Sequence, residues 1–316
     1  MGEISYTNAQ LNAFVQNGYK KITGKQFTRV NYANHKVLNE NQGNDFLFEH
    51  ISEGFPFMAC RYGYVELDTM ISVERFVKRK NETRLQHVLK KRDISNNSGF
   101  FPMDKDMVIE FGEQMMMWSG DADLFGVWYI PFEEYALTKY APNAELTFLR
   151  SYEPWNAIQP WTMALTNKKV LVVHPFAETI SSQYKKRNEL FPGKDILPQF
   201  DLKTYKAVQT IAGNIDDRFE TWFEALDYMT EQIKKIDFDI AILGCGAYGL
   251  PLASRIKTFG KQAIHMGGAT QLLFGIKGKR WDNHPIISKL YNQAWVRPSE
   301  NEKPNNASNV EQGCYW

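Results

Sequence analysis

Gly244-Cys245-Gly246-Ala247-Tyr248-Gly249 is a G-x-G-x-x-G turn. An apolar run, Asp239–Leu243, precedes it and a helical pattern with Pro251 near its first turn follows. Small residues there let the backbone approach a ligand, and free N–H groups at a helix start attract phosphate. Gly244, Gly246 and Tyr248 are therefore candidates for holding a nucleotide. The competing reading is a tight turn that needs glycine only for packing. A dinucleotide site would place an acid about 20 residues on, at the end of the next strand, to hold the ribose. That strand ends instead in His265-Met266-Gly267-Gly268, which weighs against NAD.

Arg61-Tyr62-Gly63-Tyr64-Val65-Glu66 lies where another apolar run, Phe55–Cys60, gives out. An arginine and a carboxylate at such an edge could bind a diphosphate and a sugar hydroxyl, or could bridge each other structurally. His174 and His265 each end an expected strand, where open parallel sheets place ligands; a hydrogen-bonded, half-buried histidine is the plainer reading of each. Lys277, Lys279 and Arg280 cluster just beyond the His265 strand and could neutralise a diphosphate leaving group. The alternative is a surface hairpin with solvated lysines. No spaced His/Asp/Glu cluster of a metal site and no G-x-S-x-G occurs in the sequence.

These residues need a scaffold of alternating strands and helices. Strands are expected at Phe55–Cys60, Phe125–Ile130, Lys169–Val173, Lys206–Ile211, Asp239–Leu243 and Gln262–His265. Helices are expected after residue 61 and over 103–118, 178–190, 218–236 and 249–259. That alternation predicts an α/β fold, a Rossmann-like, mostly parallel sheet with helices on both faces. Residues 1–297 form one domain in this reading, with a helical lead-in over 1–50 and the Rossmann-like half at 165–285. Residues 298–316 form a tail, ordered at its closing GCYW. Residues 76–93 carry seven Lys/Arg against two acids: Lys78, Arg79, Lys80, Arg84, Lys90, Lys91 and Arg92 against Glu82 and Asp93. They read as a solvated helix face or as a patch for phosphate or anionic lipid.

Lys+Arg is 37 and Asp+Glu is 36, so no general attraction to nucleic acid is expected. Three scattered cysteines, Cys60, Cys245 and Cys314, make neither a disulfide framework nor a zinc cluster and suit a reducing compartment. The first residues lack the apolar core of a signal peptide, and no run of about 18 apolar residues occurs. A cytoplasmic protein is expected, with room for peripheral contact at the inner face of a membrane.

FMACRYGYVEL, KKVLVVHPF and DIAILGCGAYGLPLASRIKTFGKQAIHMGG together resemble the bacterial GT-D-type glycosyltransferases in order and spacing, over roughly residues 55–275. The resemblance implies a nucleoside-diphosphate-sugar donor, UDP-sugar first, and transfer to a glycan, glycoprotein or lipid-linked acceptor in surface polysaccharide assembly. In the better-known branch the first motif is Arg-Phe-Gly-Asp-Gly-Glu, whose Asp-x-Glu pair serves metal and donor. This chain keeps Arg61, Gly63 and Glu66 but has Tyr64 in place of the Asp, and GATQLLF stands where an acidic stretch would follow the last strand. Both departures count against a divalent ion, Mn or Mg, and imply a branch in which lysine and arginine replace it. The resemblance points to Glu66, Arg61 and His174 as catalytic. It points to Gly63, Tyr64, Gly244, Gly246, Tyr248, His265, Gly267, Gly268, Lys277, Lys279 and Arg280 around the donor. Two other classes stay open: an NAD-type oxidoreductase, and a non-catalytic nucleotide- or carbohydrate-binding protein of the same fold.

Overall fold

The computed structural model describes residues 5–23, 27–310 and 312–316. Residues 1–4 and 24–26 of the expected lead-in, and residue 311 of the expected tail, lie outside the described residues. A short antiparallel hairpin pairs β1 (Asn31–Tyr32) with β2 (His35–Lys36). The main sheet holds β3 (Phe57–Cys60), β4 (Leu124–Val127), β5 (Glu145–Phe148), β6 (Lys169–His174), β7 (Asp201–Lys206), β8 (Ile240–Leu243) and β9 (Gln262–His265). Its order is β5-β4-β3-β9-β8-β6-β7, and every pairing is parallel.

Parallel strands covered on both faces read as continuous apolar runs, and β8 (IAIL) and β3 (FMAC) are buried at every position. Their side chains still alternate between two cores. Met58, Cys60, Leu171, Val173, Ala241 and Leu243 face one layer; Phe57, Ala59, Val170, Val172, Ile240 and Ile242 face the other. Helices Tyr64–Arg79, Lys105–Ser119, Trp222–Lys234 and Gly249–Thr258 cover the first layer. Helices Glu40–Glu53, Ala177–Tyr184 and Ala269–Leu273 cover the second. Asn39, Asp104 and Thr221 cap three of these helices through their side chains, each such cap stabilising by about 1 kcal/mol.

Connections that step toward β5 cross the first layer, and β6 to β7, which steps the other way, crosses the second. Crossovers of one hand require that division. As a result the chain leaves the neighbouring strands β6, β8, β9 and β3 toward alternate faces. The crevices between such strands, at their C-terminal ends, are where open α/β sheets bind ligands.

Two expectations need correction. The strand expected at Lys206–Ile211 is instead β7 at Asp201–Lys206. This is an edge strand, half-exposed along its length, so its sequence DLKTYK carries lysines; the apolar residues Ala207 and Val208 that follow are core contacts of a loop. The strand expected at Phe125–Ile130 ends at Val127, so Trp128 is the first residue beyond it. Residues 298–310 and 312–316 fold back onto the body. The buried Glu302 carboxylate accepts from the Glu178 N–H (2.8 Å), and Cys314 is buried.

Candidate functional site

Four strand ends converge on the crevice: Arg61 after β3, the Gly244–Gly249 turn after β8, His265–Gly268 after β9 and His174 at the end of β6. The glycines of the turn make room for the protein's own side chains. A Cβ on Gly249 would run into the His265 ring, and one on Gly244 would come within 2.6 Å of His174 Cδ2 and of the Thr270 Cβ. Gly246 is the exposed residue of the turn, and a Cβ there would meet the Ser98 carbonyl oxygen at 3.4 Å. Tyr248 is turned into the core and stacks flat on Trp222, ring centroids 4.7 Å apart. Gly246 is thus the open position of the turn, and Tyr248 is closed off.

Both histidines are neutral. The Phe176 N–H donates to His174 Nδ1 (2.9 Å), which leaves the proton on Nε2. His265 Nδ1 lies 3.4 Å from the Leu243 carbonyl. Burial pushes the pKa of His174 down to about 3, and burial with the nearby Arg61 charge does the same for His265. His174, expected to be catalytic, is only 4% exposed, and its ring is engaged by Phe176 and Gly244. It holds the turn.

Arg61 is the central feature. Its guanidinium lies over the Trp128 ring at 4.7 Å from the centroid. Its Nε is buried and has no hydrogen-bond partner among the described residues. Burial lowers its pKa; Glu66, then Tyr315, oppose that shift, and Arg280 adds to it. Arginine nevertheless stays charged in proteins. Gly267, at φ +64°, brings its backbone beside this group: a Cβ there would lie 3.1 Å from an Arg61 terminal nitrogen and be strained by the left-handed conformation. Glu66, in the first turn of the helix Tyr64–Arg79, folds its carboxylate back over Gly63, where a Cβ would displace it. Tyr64 is exposed at the same helix start.

The three cations beyond β9 diverge. Arg280 faces Gly268 and lies over the Tyr315 ring at 4.8 Å, with an N–H donating to the Tyr315 hydroxyl (3.3 Å). Lys279 lines a surface cavity of about 390 Å³ with Arg297, Lys303 and Trp316. Lys277 lies over Tyr291, 5.4 Å from its centroid. Arg280 alone of the three is placed toward Arg61.

Sequence reasoning missed Trp128, Tyr315 and Glu133. Trp128 and Tyr129 donate backbone N–H bonds to the Glu133 carboxylate (3.3 and 2.7 Å), and Trp128 Nε1 donates to the Tyr62 carbonyl (3.1 Å). This loop holds Tyr129 at φ +57° and Phe132 at φ +67°, conformations that bulky side chains adopt only when their surroundings enforce them. Burial pushes the Glu133 carboxyl up to about 8. Trp128 falls inside the strand expected at Phe125–Ile130, so nothing marks it as a strand-end residue. Tyr315 comes from the far end of the chain and has no signal.

A divalent ion needs several oxygen ligands. Glu66 is the single carboxylate of its motif, and the described residues contain no group of three or more His, Cys, Asp or Glu side chains able to hold a metal. The chain matches no protein-family model, no curated protein and no solved structure.

Proposed function

We propose that the protein is a glycosyltransferase that moves a sugar from a nucleoside diphosphate, UDP first, to a glycan, glycoprotein or lipid-linked acceptor. The observation that carries this reading is Arg61. A half-buried guanidinium whose Nε is buried without a hydrogen-bond partner, at the switch point of a parallel sheet and beside a positive-φ glycine, fits an anionic ligand group. Arg280 adds a second cation on the Gly268 side, and Trp128 offers an aromatic wall. Glu66 supplies the carboxylate that transfer needs.

In this mechanism the acceptor hydroxyl oxygen attacks the anomeric carbon and its proton passes to Glu66. The bond from that carbon to the diphosphate oxygen breaks, and the electron pair leaves on the diphosphate. Arg61 and Arg280 stabilise the developing charge as fixed cations in a site of low polarity. The absence of a ribose-binding acid after His265 favours this reading over an NAD enzyme.

A thermal-shift comparison tests the donor class. A ligand at 100 times its Kd adds about 2.7 kcal/mol of stability, so UDP is expected to raise the melting temperature clearly more than NAD at equal concentration. Equal or greater stabilisation by NAD would sink the assignment. If UDP binds but no UDP-sugar is ever hydrolysed or consumed, the protein is a non-catalytic binder.

A further inference from the structure

The helix Tyr6–Thr23 is inside out. Its buried residues are Tyr6, Ala9, Ala13 and Gln16, two of them alanines, set against Ile130, Phe132 and Tyr135. Its large apolar residues face solvent: Leu11, Phe14, Val15, Tyr19 and Ile22 are all exposed, Phe14 at 77% and Ile22 at 86%. At about 100° per residue, Leu11, Val15 and Ile22 fall within about 40° of one another, opposite the buried face, with Phe14 and Tyr19 on the flanks. A helix that had only to cover the body would turn these residues inward. A contiguous exposed apolar stripe marks an interaction surface.

Charge identifies the occupant. The described segments 5–23 and 27–39 contain Lys20, Lys21, Arg29 and Lys36 and no Asp or Glu, in a chain whose total charge is only +1. Arg29 pairs with Glu134 at 3.3 Å; Lys20, Lys21 and Lys36 are exposed. A second basic surface adjoins. Lys78, Arg79, Lys80, Lys90, Lys91 and Arg92 are exposed on or just beyond the helices Tyr64–Arg79 and Glu82–Lys91. Those helices are tied to the apolar one through Tyr6, whose hydroxyl accepts from Arg84 at 2.5 Å and whose ring lies 3.7 Å from the Arg75 guanidinium carbon. A second copy of the chain would bring the same cations together with no acid in the segment to meet them. At about 100° per residue Lys21 flanks the apolar stripe while Lys20 lies nearly opposite it, so Lys21 and the adjoining basic helices are the cations an anionic surface at the stripe would meet.

We propose that this helix lies in the interface of an anionic lipid bilayer, with Leu11, Phe14, Val15 and Ile22 in the acyl boundary and Lys21, at the border of the stripe, among the headgroups. No described helix is long and apolar enough to cross a membrane, so the attachment is to one face. The helix rests on Phe132 and Tyr135, in the segment that continues from Trp128. Binding would therefore hold the C-terminal end of β4 near the lipid surface. The proposal stands independently of the sugar-transfer reading.

Co-sedimentation with phosphatidylcholine vesicles, with and without phosphatidylglycerol, tests it. The protein is expected to bind the phosphatidylglycerol vesicles, less so as salt rises. Phe14→Ser with Ile22→Ser should weaken that binding about tenfold or more, since each buried CH₂ contributes about 0.8 kcal/mol. Both positions are exposed, so an unchanged melting curve should accompany the loss. Lys20→Glu with Lys21→Glu should weaken binding to the anionic vesicles selectively. Absence of binding to phosphatidylglycerol vesicles at low salt would overturn the proposal, as would binding indifferent to the serine substitutions. A concentration-dependent dimer that the same serines abolish would overturn it in favour of a second copy on this face.

Discussion

A charged guanidinium removed from water without full hydrogen bonding destabilises the fold that holds it, and replacing it by an apolar side chain of similar length is often neutral or stabilising. Arg61 meets this condition at one atom: its Nε is buried and unpartnered and its plane rests on Trp128, while the side chain as a whole is half-buried. Arg61→Met is therefore expected to leave the melting temperature unchanged or raise it, while abolishing the stabilisation by UDP. A melting curve with and without UDP reads both effects, and a variant that unfolds while wild type holds would recast Arg61 as structural. Glu66 allows a parallel argument. Its carboxylate lies over Gly63 at a helix start, a place that suits negative charge by a few tenths of a kcal/mol to about 1 kcal/mol. Glu66→Gln keeps the shape and loses the base. Transfer should fall by at least a hundredfold, the scale of a lost general base, in a protein whose melting temperature drops by only a few degrees. Full activity in that variant would remove Glu66 from the mechanism.

Among the elements, the glycine turn after β8 is where the reading of sequence and the geometry part company in an informative way. The G-x-G-x-x-G, its strand and its helix were all legible, because a buried parallel strand announces itself as an unbroken apolar run and a helix start by its small residues and proline. What occupies the space above the glycines was not legible. Gly249 accommodates His265, and Gly244 accommodates His174 and Thr270; each partner is set by strand order, which no local pattern encodes. Gly249→Ala should accordingly cost roughly 1–3 kcal/mol by overpacking, and adding His265→Ala should recover part of that loss. Urea unfolding of the two single variants and the double variant measures the coupling; strictly additive losses would show that the ring and the glycine are not in contact. The same distinction explains the other misses. β7 was displaced because an edge strand is free to be polar. The helix Glu133–Tyr140 and β5 are short, with 8 and 4 residues, and offer little periodicity to read. Trp128 was hidden inside an expected strand that ended three residues early. Tyr315 meets Arg280 from 35 residues away in the chain, a convergence that only the folded molecule displays.

At the scale of the whole molecule, three buried groups give stability a dependence on pH whose sign can be worked out. His174 and His265 have folded pKa values near 3 against 6.5 for a free imidazole, lowered by burial. The stability they contribute is complete above 6.5 and is lost as pH falls toward 3, because the unfolded chain takes up protons that the folded one refuses. Glu133 runs the other way. Burial raises it to about 8 against 4.5 for a free carboxyl, so its contribution is complete below 4.5 and is lost as pH rises through 8. Between 4.5 and 6.5 the two histidines outweigh the one carboxyl and stability rises with pH. Between 6.5 and 8, of these three groups only Glu133 acts and stability falls, at a limiting slope of about 1.4 kcal/mol per pH unit; Glu153, also raised by burial, works in the same direction as Glu133. These groups together place maximum stability near pH 6.5. Urea unfolding across this range should show that maximum in the wild type. Glu133→Gln should flatten the fall above 6.5, since a neutral amide can still accept from the Trp128 and Tyr129 N–H groups that the carboxylate holds. His174→Gln should halve the slope below 6.5 that the histidines generate. If the fall above 6.5 survives in Glu133→Gln, Glu133 is ionised in the folded protein, and its three bonds, from the two loop N–H groups and from the Tyr32 hydroxyl, outweigh its burial.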